Sequence, residues 1–299
     1  MKTVAFLDLL GFKNYVKKDI SGASELLSDY NEIIKNKIHD QTYHPQLLDK
    51  NIKLCIDSFE TFLPCSDSIF ITSKDPNRFV EQVSHLLSDS FLINSEQYRN
   101  PVSHLNLLEV SIPNLGGAPN ERKTVEHYPV LFRGGVSFGE AYVTENSSIV
   151  NGELIQSANL IGKAVIEAIG LEKPYKGPRL ICNSKFVDQL SVKIKDKYIG
   201  TIKLGELYEI YWTSSIYHDQ NDPKLEIGDF SKLFVPAVNL WKALNHYDYG
   251  IHYFEYMKLI IKGTIQYFST RNCEEMAIDY IKNTVEGFEL GEKWEDLVN

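Results

Sequence analysis

The sequence predicts an α+β fold, a ferredoxin-like βαββαβ core carrying a C-terminal extension. Three observations predict it. Residues 3–9, TVAFLDL, make a short apolar run that ends on a glycine turn, as a buried strand does. The following stretch, about 15–37, changes to helical spacing, with Leu26, Leu27, Tyr30, Ile33, Ile34 and Ile38 three or four apart. Two further apolar runs, about 53–63 and 68–72, then flank Pro64-Cys65-Ser66-Asp67, which reads as a hairpin bend.

The remaining elements continue that order. A polar connection over 39–51 separates the first helix from the hairpin, and Asp75-Pro76 opens a second helix to about 91, with Phe79, Val83, Leu86 and Leu87 on one face. Pro101, Pro113, Gly116, Gly117 and Pro119 mark 100–127 as a long surface insertion. A strand pair or bent strand over 128–142, a helix over 161–171, a strand over 179–182 and a helix over 184–190 complete the core. Beyond 190 the composition shifts toward Tyr, Trp and Lys. There LYEIYWTSSIY (207–217) reads as a strand, and helices are expected around 251–268 and 273–288. The expected organisation is a core over 1–190 and an extension over 191–299 packed on it. The aromatic residues of that extension, Trp212, Trp241 and Tyr247 among them, read as core and partner contacts.

Composition narrows the function. The chain has 299 residues, 43% apolar and 24% charged, an ordinary globular balance. A net charge of −9 argues against nonspecific nucleic-acid binding, because a polyanion needs a compensating basic surface. A small anionic substrate stays open if metal ions or a few local cations neutralise it. Cys55, Cys65, Cys182 and Cys273 form no C-x-x-C pair, so neither a disulfide framework nor a zinc site is expected, which fits a reducing cytoplasm. Asp8 interrupts the apolar N-terminus before a signal-peptide core forms, and no run approaches 18 apolar residues. The expectation is a cytoplasmic protein that is neither secreted nor membrane-spanning.

Three places carry chemistry. Asp8 sits at the end of a buried strand before a Gly11 turn, where a carboxylate can hold a divalent ion beside amides able to cradle phosphate. An aspartate there more commonly caps a helix or shapes a turn. Asp67 lies in the hairpin bend, also an ordinary place for a turn-forming aspartate. In a ferredoxin-like sheet, however, the hairpin pairs against the first strand, so the two carboxylates can meet, and a cation is the usual remedy for their repulsion. Arg133, at the mouth of a glycine-rich strand, can pair with phosphate or with a surface carboxylate. The eight histidines show no ligand spacing, and Ser66, Ser137 and Ser157 lack a nucleophile elbow.

Taken in order, these places resemble the class III nucleotidyl cyclases, the catalytic domains of adenylyl and guanylyl cyclases. Phe6-Leu7-Asp8-Leu9-Leu10-Gly11-Phe12 is similar to their F-x-D-[IL]-x-G-F, and Ser66-Asp67 to their G-D turn with Ser in place of Gly. Arg133 through Gly139 is similar to R-x-G-I-x-x-G, and Gly162-Lys163-Ala164-Val165 to the helix entry that follows it. The resemblance covers roughly 3–185. It implies two Mg²⁺ or Mn²⁺ ions held by Asp8, Asp67 and the Leu9 carbonyl, phosphates facing the amides of Leu10, Gly11 and Phe12, and a homodimer with its sites at the interface.

Departures from the family are as informative. The two purine-reading positions fall on Leu63 and Asn159, and the transition-state Asn and Arg positions fall on Ile166 and Gly170. Arg133 or Lys163 would have to supply the missing positive charge. The segments LDLLGF, SDSI and GKAVIEA resemble the pyrimidine cyclases of bacterial antiphage (Pycsar) systems, which lack the purine readers and signal to a cyclic-nucleotide-responsive effector. That resemblance implies a uridylate cyclase acting on UTP, or a cytidylate cyclase acting on CTP, with Asn159 reading the base. A diguanylate cyclase is disfavoured by the absence of a G-G-[DE]-E-F turn. A degenerate cyclase-like nucleotide-binding module stays open because of Ile166 and Gly170.

Overall fold

The computed structural model describes residues 1–43, 56–95, 107–112, 121–126, 129–150, 153–201, 206–218, 222–247 and 250–298. The first strand, β1 (Lys2–Leu9), turns into α1 (Phe12–Lys18) and α2 (Ile20–Tyr43). The hairpin β2 (Phe59–Cys65) and β3 (Ser68–Ser73) follows, then α3 (Pro76–Asn94), entered through Asp75, whose side chain accepts from the Arg78 amide. A ribbon of β4 (Leu107–Ile112) and β5 (Glu121–Glu126) precedes β6 (Phe132–Gly139). A second ribbon, β7 (Tyr142–Val150) and β8 (Glu153–Ile161), leads to α4 (Lys163–Glu172), β9 (Leu180–Asn183), α5 (Ser184–Val187) and α6 (Val192–Tyr198). The chain then forms β10 (Ile199–Thr201), β11 (Leu207–Ile210), α7 (Pro223–Glu226), α8 (Phe230–Leu244), α9 (Gly250–Ser269), α10 (Glu274–Gly287) and α11 (Trp294–Val298).

The fold is α+β, built on one mixed sheet in the order β10-β11-β9-β6-β1-β3-β2, with β6 and β9 its parallel pair. Its β6-β1-β3-β2 half is antiparallel and has the strand order of a ferredoxin-like βαββαβ unit. β1 is central because it can be buried on both faces. Ala5, Leu7 and Leu9 point into a large core shared with α2, α3 and the C-terminal helices, whereas Val4 and Phe6 point into a small one under α4. The residues beyond 190 thus extend the sheet by β10 and β11, and their helices fill the large core.

α4 is the cover of the small core, and it sits very close to the sheet. A Cβ on Gly135 would lie 2.1 Å from the Ala168 carbonyl oxygen. Only a glycine at that strand position lets the helix backbone approach so far.

Several expected elements take a different form. The helix expected over 15–37 is two helices, broken at the extended Asp19, whose side chain accepts from the Ser21 amide at 3.1 Å. Helix α2 continues through Tyr43, into the segment expected as a polar connection; residues 44–55 lie outside the described ones. The 100–127 stretch contains the β4–β5 ribbon, its alternating LLEVSI strand paired with Glu121–Glu126. The 128–142 stretch holds one strand, followed by the β7–β8 ribbon, to which the sequence assigns no element. LYEIYWTSSIY stays extended only to Ile210. Trp212–Ile216 then winds into a buried 3₁₀ turn, with Thr213 and Ser214 donating to the Leu259 and Gly263 carbonyls of α9. Among the described residues, no helix is long and apolar enough to cross a membrane.

Gly135→Ala should destabilise the fold by about 3 kcal/mol, because the obstructing atom is backbone and cannot rotate away. Chemical denaturation followed by circular dichroism checks this. A loss below about 0.5 kcal/mol would mean that α4 slides freely on the sheet.

Candidate active site

The site is assembled at the end of β1, where three strands finish together. Asp8 stands opposite Ser68 of β3 on one side and Arg133 of β6 on the other, so these three side chains form a row across one sheet face. The Asp8 carboxylate accepts from Ser68 Oγ at 3.0 Å through one oxygen, and from Arg133 Nη2 and Nε at 3.2 and 3.3 Å through the other. The Leu9 amide donates to the Asp67 carbonyl at 2.8 Å, fixing the hairpin bend against the strand end. Asp8 and Asp67, far apart in sequence, are therefore backbone neighbours. The bend is tight. Ser66 takes φ 60, a left-handed conformation, at the position where the resembled motif carries glycine.

Sequence reasoning missed Glu172. At the last turn of α4, this carboxylate is only 6% exposed and lies 2.5 Å from Arg133 Nε. The contact is close but off the N–H axis, so Glu172 Oε1 has an ion pair without an aligned hydrogen bond. Burial raises the Glu172 pKa; Arg133 opposes the shift and the charge of Asp8 reinforces it. Its only signal in the sequence is an acidic residue ending an otherwise apolar helix, and nothing there says which way it points. Arg133 is thus engaged by two carboxylates and does not stand open as a free phosphate-binding cation.

The glycine turn after Asp8 is divided. The Leu10 amide, expected to face phosphate, donates instead to the Leu131 carbonyl at 2.8 Å, because the chain keeps pairing beside β6 for one residue past the strand. Gly11 has φ 80 and starts α1; among the described residues no acceptor engages the Gly11 or Phe12 amide. Leu63 pairs with Phe70, which pairs with Phe6, and so lies on the face that carries Asp8, about 7 Å further along the strands. Asn159 is exposed on β8, opposite Thr144, on a ribbon that hydrogen-bonds to no strand of the central sheet. Lys163 is exposed at the first position of α4, Ile166 is 74% exposed, and Gly170 has open space around it.

Chemically, two carboxylates, Asp8 and Glu172, engage one guanidinium, with the Asp67 backbone fixed beside the strand end. Among the described residues, no three His, Cys, Asp or Glu side chains converge as a closed metal cage. The donor set nevertheless fits an open divalent-ion site. Hard carboxylate oxygens are present, and each Asp8 oxygen retains accepting capacity beyond its present bonds.

Fold and site together define an α+β protein whose central strand ends in a carboxylate cluster beside a glycine turn. No protein-family model matches the sequence, and no curated protein does. Among solved structures, the chain is similar to an adenylate cyclase of Trypanosoma brucei in its monomeric state, at 13% identity over 70% of this chain and 87% of that one, with a TM-score of 0.43. It is also similar to the guanylyl cyclase domain of the RhoGC fusion protein from the aquatic fungus Blastocladiella emersonii, at 14% identity over 70% and 94% with a TM-score of 0.40. A third is the adenylyl cyclase CyaB from P. aeruginosa, at 14% identity over 74% and 95% with a TM-score of 0.40. Likenesses this slight carry no argument about activity, which rests on the residues themselves.

Behind the glycine turn, His252 of α9 accepts from the Gly177 amide through Nδ1 at 3.0 Å. Burial lowers its pKa to about 4, with Arg133 and Lys176 adding to the shift. Stability from the neutral imidazole is fully present above the unfolded value near 6.5 and is lost as pH falls from there to about 4. The loss attributable to His252 is at most about 3 kcal/mol. His252→Gln, which keeps an acceptor but does not titrate, should flatten that part of the curve in denaturation series from pH 7 to 4. A variant with the wild-type slope would assign the acid lability to other groups.

Proposed function

We propose that the protein is a pyrimidine nucleotidyl cyclase, converting UTP to 3′,5′-cyclic UMP and pyrophosphate. The observation that carries this reading is the junction of Asp8 with the Asp67 bend through the Leu9 amide, beside Arg133 on a half-buried sheet face. It makes backbone neighbours of the two residues whose carboxylates the class III cyclase resemblance assigns to metal. In the reaction a bond forms between the ribose 3′ oxygen and the α-phosphorus, the bond to the pyrophosphate oxygen breaks, and the 3′-hydroxyl proton is released. When bound by the Asp8 and Asp67 carboxylates and the Leu9 carbonyl, two divalent ions would make that hydroxyl more acidic and neutralise the leaving charge.

The chain's own groups supply the rest. Gly11 and Phe12 amides donate to the phosphates. Arg133, steadied by Glu172, offers positive charge beside Asp8, and Lys163 offers an exposed cation at the helix entry. Leu63 supplies an apolar wall that cannot read a purine edge, and Asn159 hydrogen-bonds the smaller base. Asn159 lies off the central sheet, so this role calls for a second copy. Tyr142, Ile161 and Ile166, 62%, 57% and 74% exposed, offer that copy an apolar surface where the β7–β8 ribbon meets α4. A signalling role in bacterial antiphage defence, through an effector responding to the cyclic product, follows from the Pycsar resemblance. Cytidylate cyclase activity on CTP is the closest alternative. The bare Ile166 and Gly170 positions favour a second reading, a cyclase-like module that binds nucleotide without turning it over.

Incubation with each of the four ribonucleoside triphosphates and Mn²⁺ separates these readings. We expect one cyclic pyrimidine product with pyrophosphate, and a loss on the order of a hundredfold or more in Asp67→Ala at unchanged melting temperature. Asn159→Ala should change the ratio of rates with UTP and CTP more than the rate with the better substrate. Nucleotide binding without product would establish the non-catalytic module, and full turnover by Asp67→Ala would remove Asp67 from the site.

A further inference from the structure

We infer that the C-terminal extension is a working part of this site, with Tyr253 of α9 a positioning residue for the Gly11 turn and, through it, for phosphate binding. The inference rests on the proposed triphosphate site and adds the element that holds it in shape. The Gly11 turn has a left-handed glycine at its centre and only the short α1 behind it, so its own backbone does little to fix where the Gly11 and Phe12 amides aim. What lies behind it is aromatic. A Cβ placed on Gly11 would be 3.2 Å from both Cζ and Oη of Tyr15, so the phenol end of Tyr15 backs directly onto the turn. That phenol oxygen lies 3.3 Å from the Tyr253 hydroxyl, and both residues are buried.

A cavity of only ≈ 10 Å³, about the size that admits one water, remains among Leu10, Gly11, Tyr15, Leu131, His252 and Tyr253. With so little slack, a displacement of Tyr253 has nowhere to be absorbed except in Tyr15 and the turn. The preceding residue of α9 reaches the other flank. His252 accepts from the Gly177 amide, on the segment that leaves α4 just after Glu172, the partner of Arg133. One turn of α9 thus abuts both the phosphate-facing loop and the exit of the helix that holds the arginine. Tyr253 touches neither substrate nor metal in this scheme, so its effect has to appear as phosphate affinity without a matching change in metal affinity.

The test uses the full chain and two probes: Mn²⁺ alone, by electron paramagnetic resonance, and inorganic tripolyphosphate with Mn²⁺ saturating, by calorimetry. Tyr253→Ala should weaken tripolyphosphate by about tenfold or more, since small misplacements of positioning groups have effects of that size, and leave the Mn²⁺ affinity unchanged. Tyr253→Phe, which keeps the ring, should recover most of the loss. If Tyr253→Ala does not fold, Tyr253→Leu, which fills much of the same volume, replaces it with the same expected split. Unchanged tripolyphosphate affinity, or an equal loss for both probes, would overturn the positioning role. Wild-type protein that binds neither probe would instead overturn the cyclase reading on which this one rests.

Discussion

The structure depends on the pairing of β1 with a strand on each side at the level of Asp8. That residue is held from one side by Ser68 and from the other by Arg133, while the next amide is fixed to the Asp67 carbonyl. Each contact joins a different part of the chain: the β2–β3 hairpin, β6, and through Glu172 the end of α4. These charges are largely buried, so desolvation offsets much of their attraction and the net contribution to stability is small. The consequence of the pairing is geometric, because it sets where an acidic cluster stands relative to a glycine turn.

That cluster lies on the thinly covered face of the sheet, and the asymmetry follows from alternation along β1. Ala5, Leu7 and Leu9 face a large core that the C-terminal helices complete, whereas Val4, Phe6 and Asp8 face a small one under α4. A single helix cannot cover that side, so Asp8 and the next row along, Phe70 and Leu63, stay partly exposed. The large core gives rigidity, and the uncovered end gives access. The C-terminal helices therefore serve both ends of the molecule, filling the closed face with aromatic residues such as the stacked Trp212 and Tyr256 and backing the glycine turn with Tyr253.

Local pattern made much of this legible. The apolar run ending at Asp8, the bend at Ser66-Asp67, the Asp75 cap and the helices near 251–268 and 273–288 are all written in short-range periodicity or turn chemistry. The β7–β8 ribbon was not, because its two strands pair with each other outside the central sheet. Helix α8 hides behind Pro236, a breaker by local rules that the surrounding core nevertheless accommodates. In the site, Asp8, Asp67 and Arg133 could be named because each sits at a strand end or turn. Glu172, His252 and Tyr253 could not, since their proximity to that cluster exists only once α4 and α9 have packed. The Leu10 amide shows the reverse error: a motif position expected to face phosphate is used up by one more backbone bond to Leu131.

The most direct test of the account is a crystal of the protein with manganese and a non-cyclisable uridine triphosphate analogue, read by anomalous scattering. The account predicts manganese peaks bridged by the carboxylates of both Asp8 and Asp67, with the analogue's phosphates against the Gly11 turn. Manganese bound elsewhere, with Asp67 turned away from Asp8 and the triphosphate off this face, would contradict it.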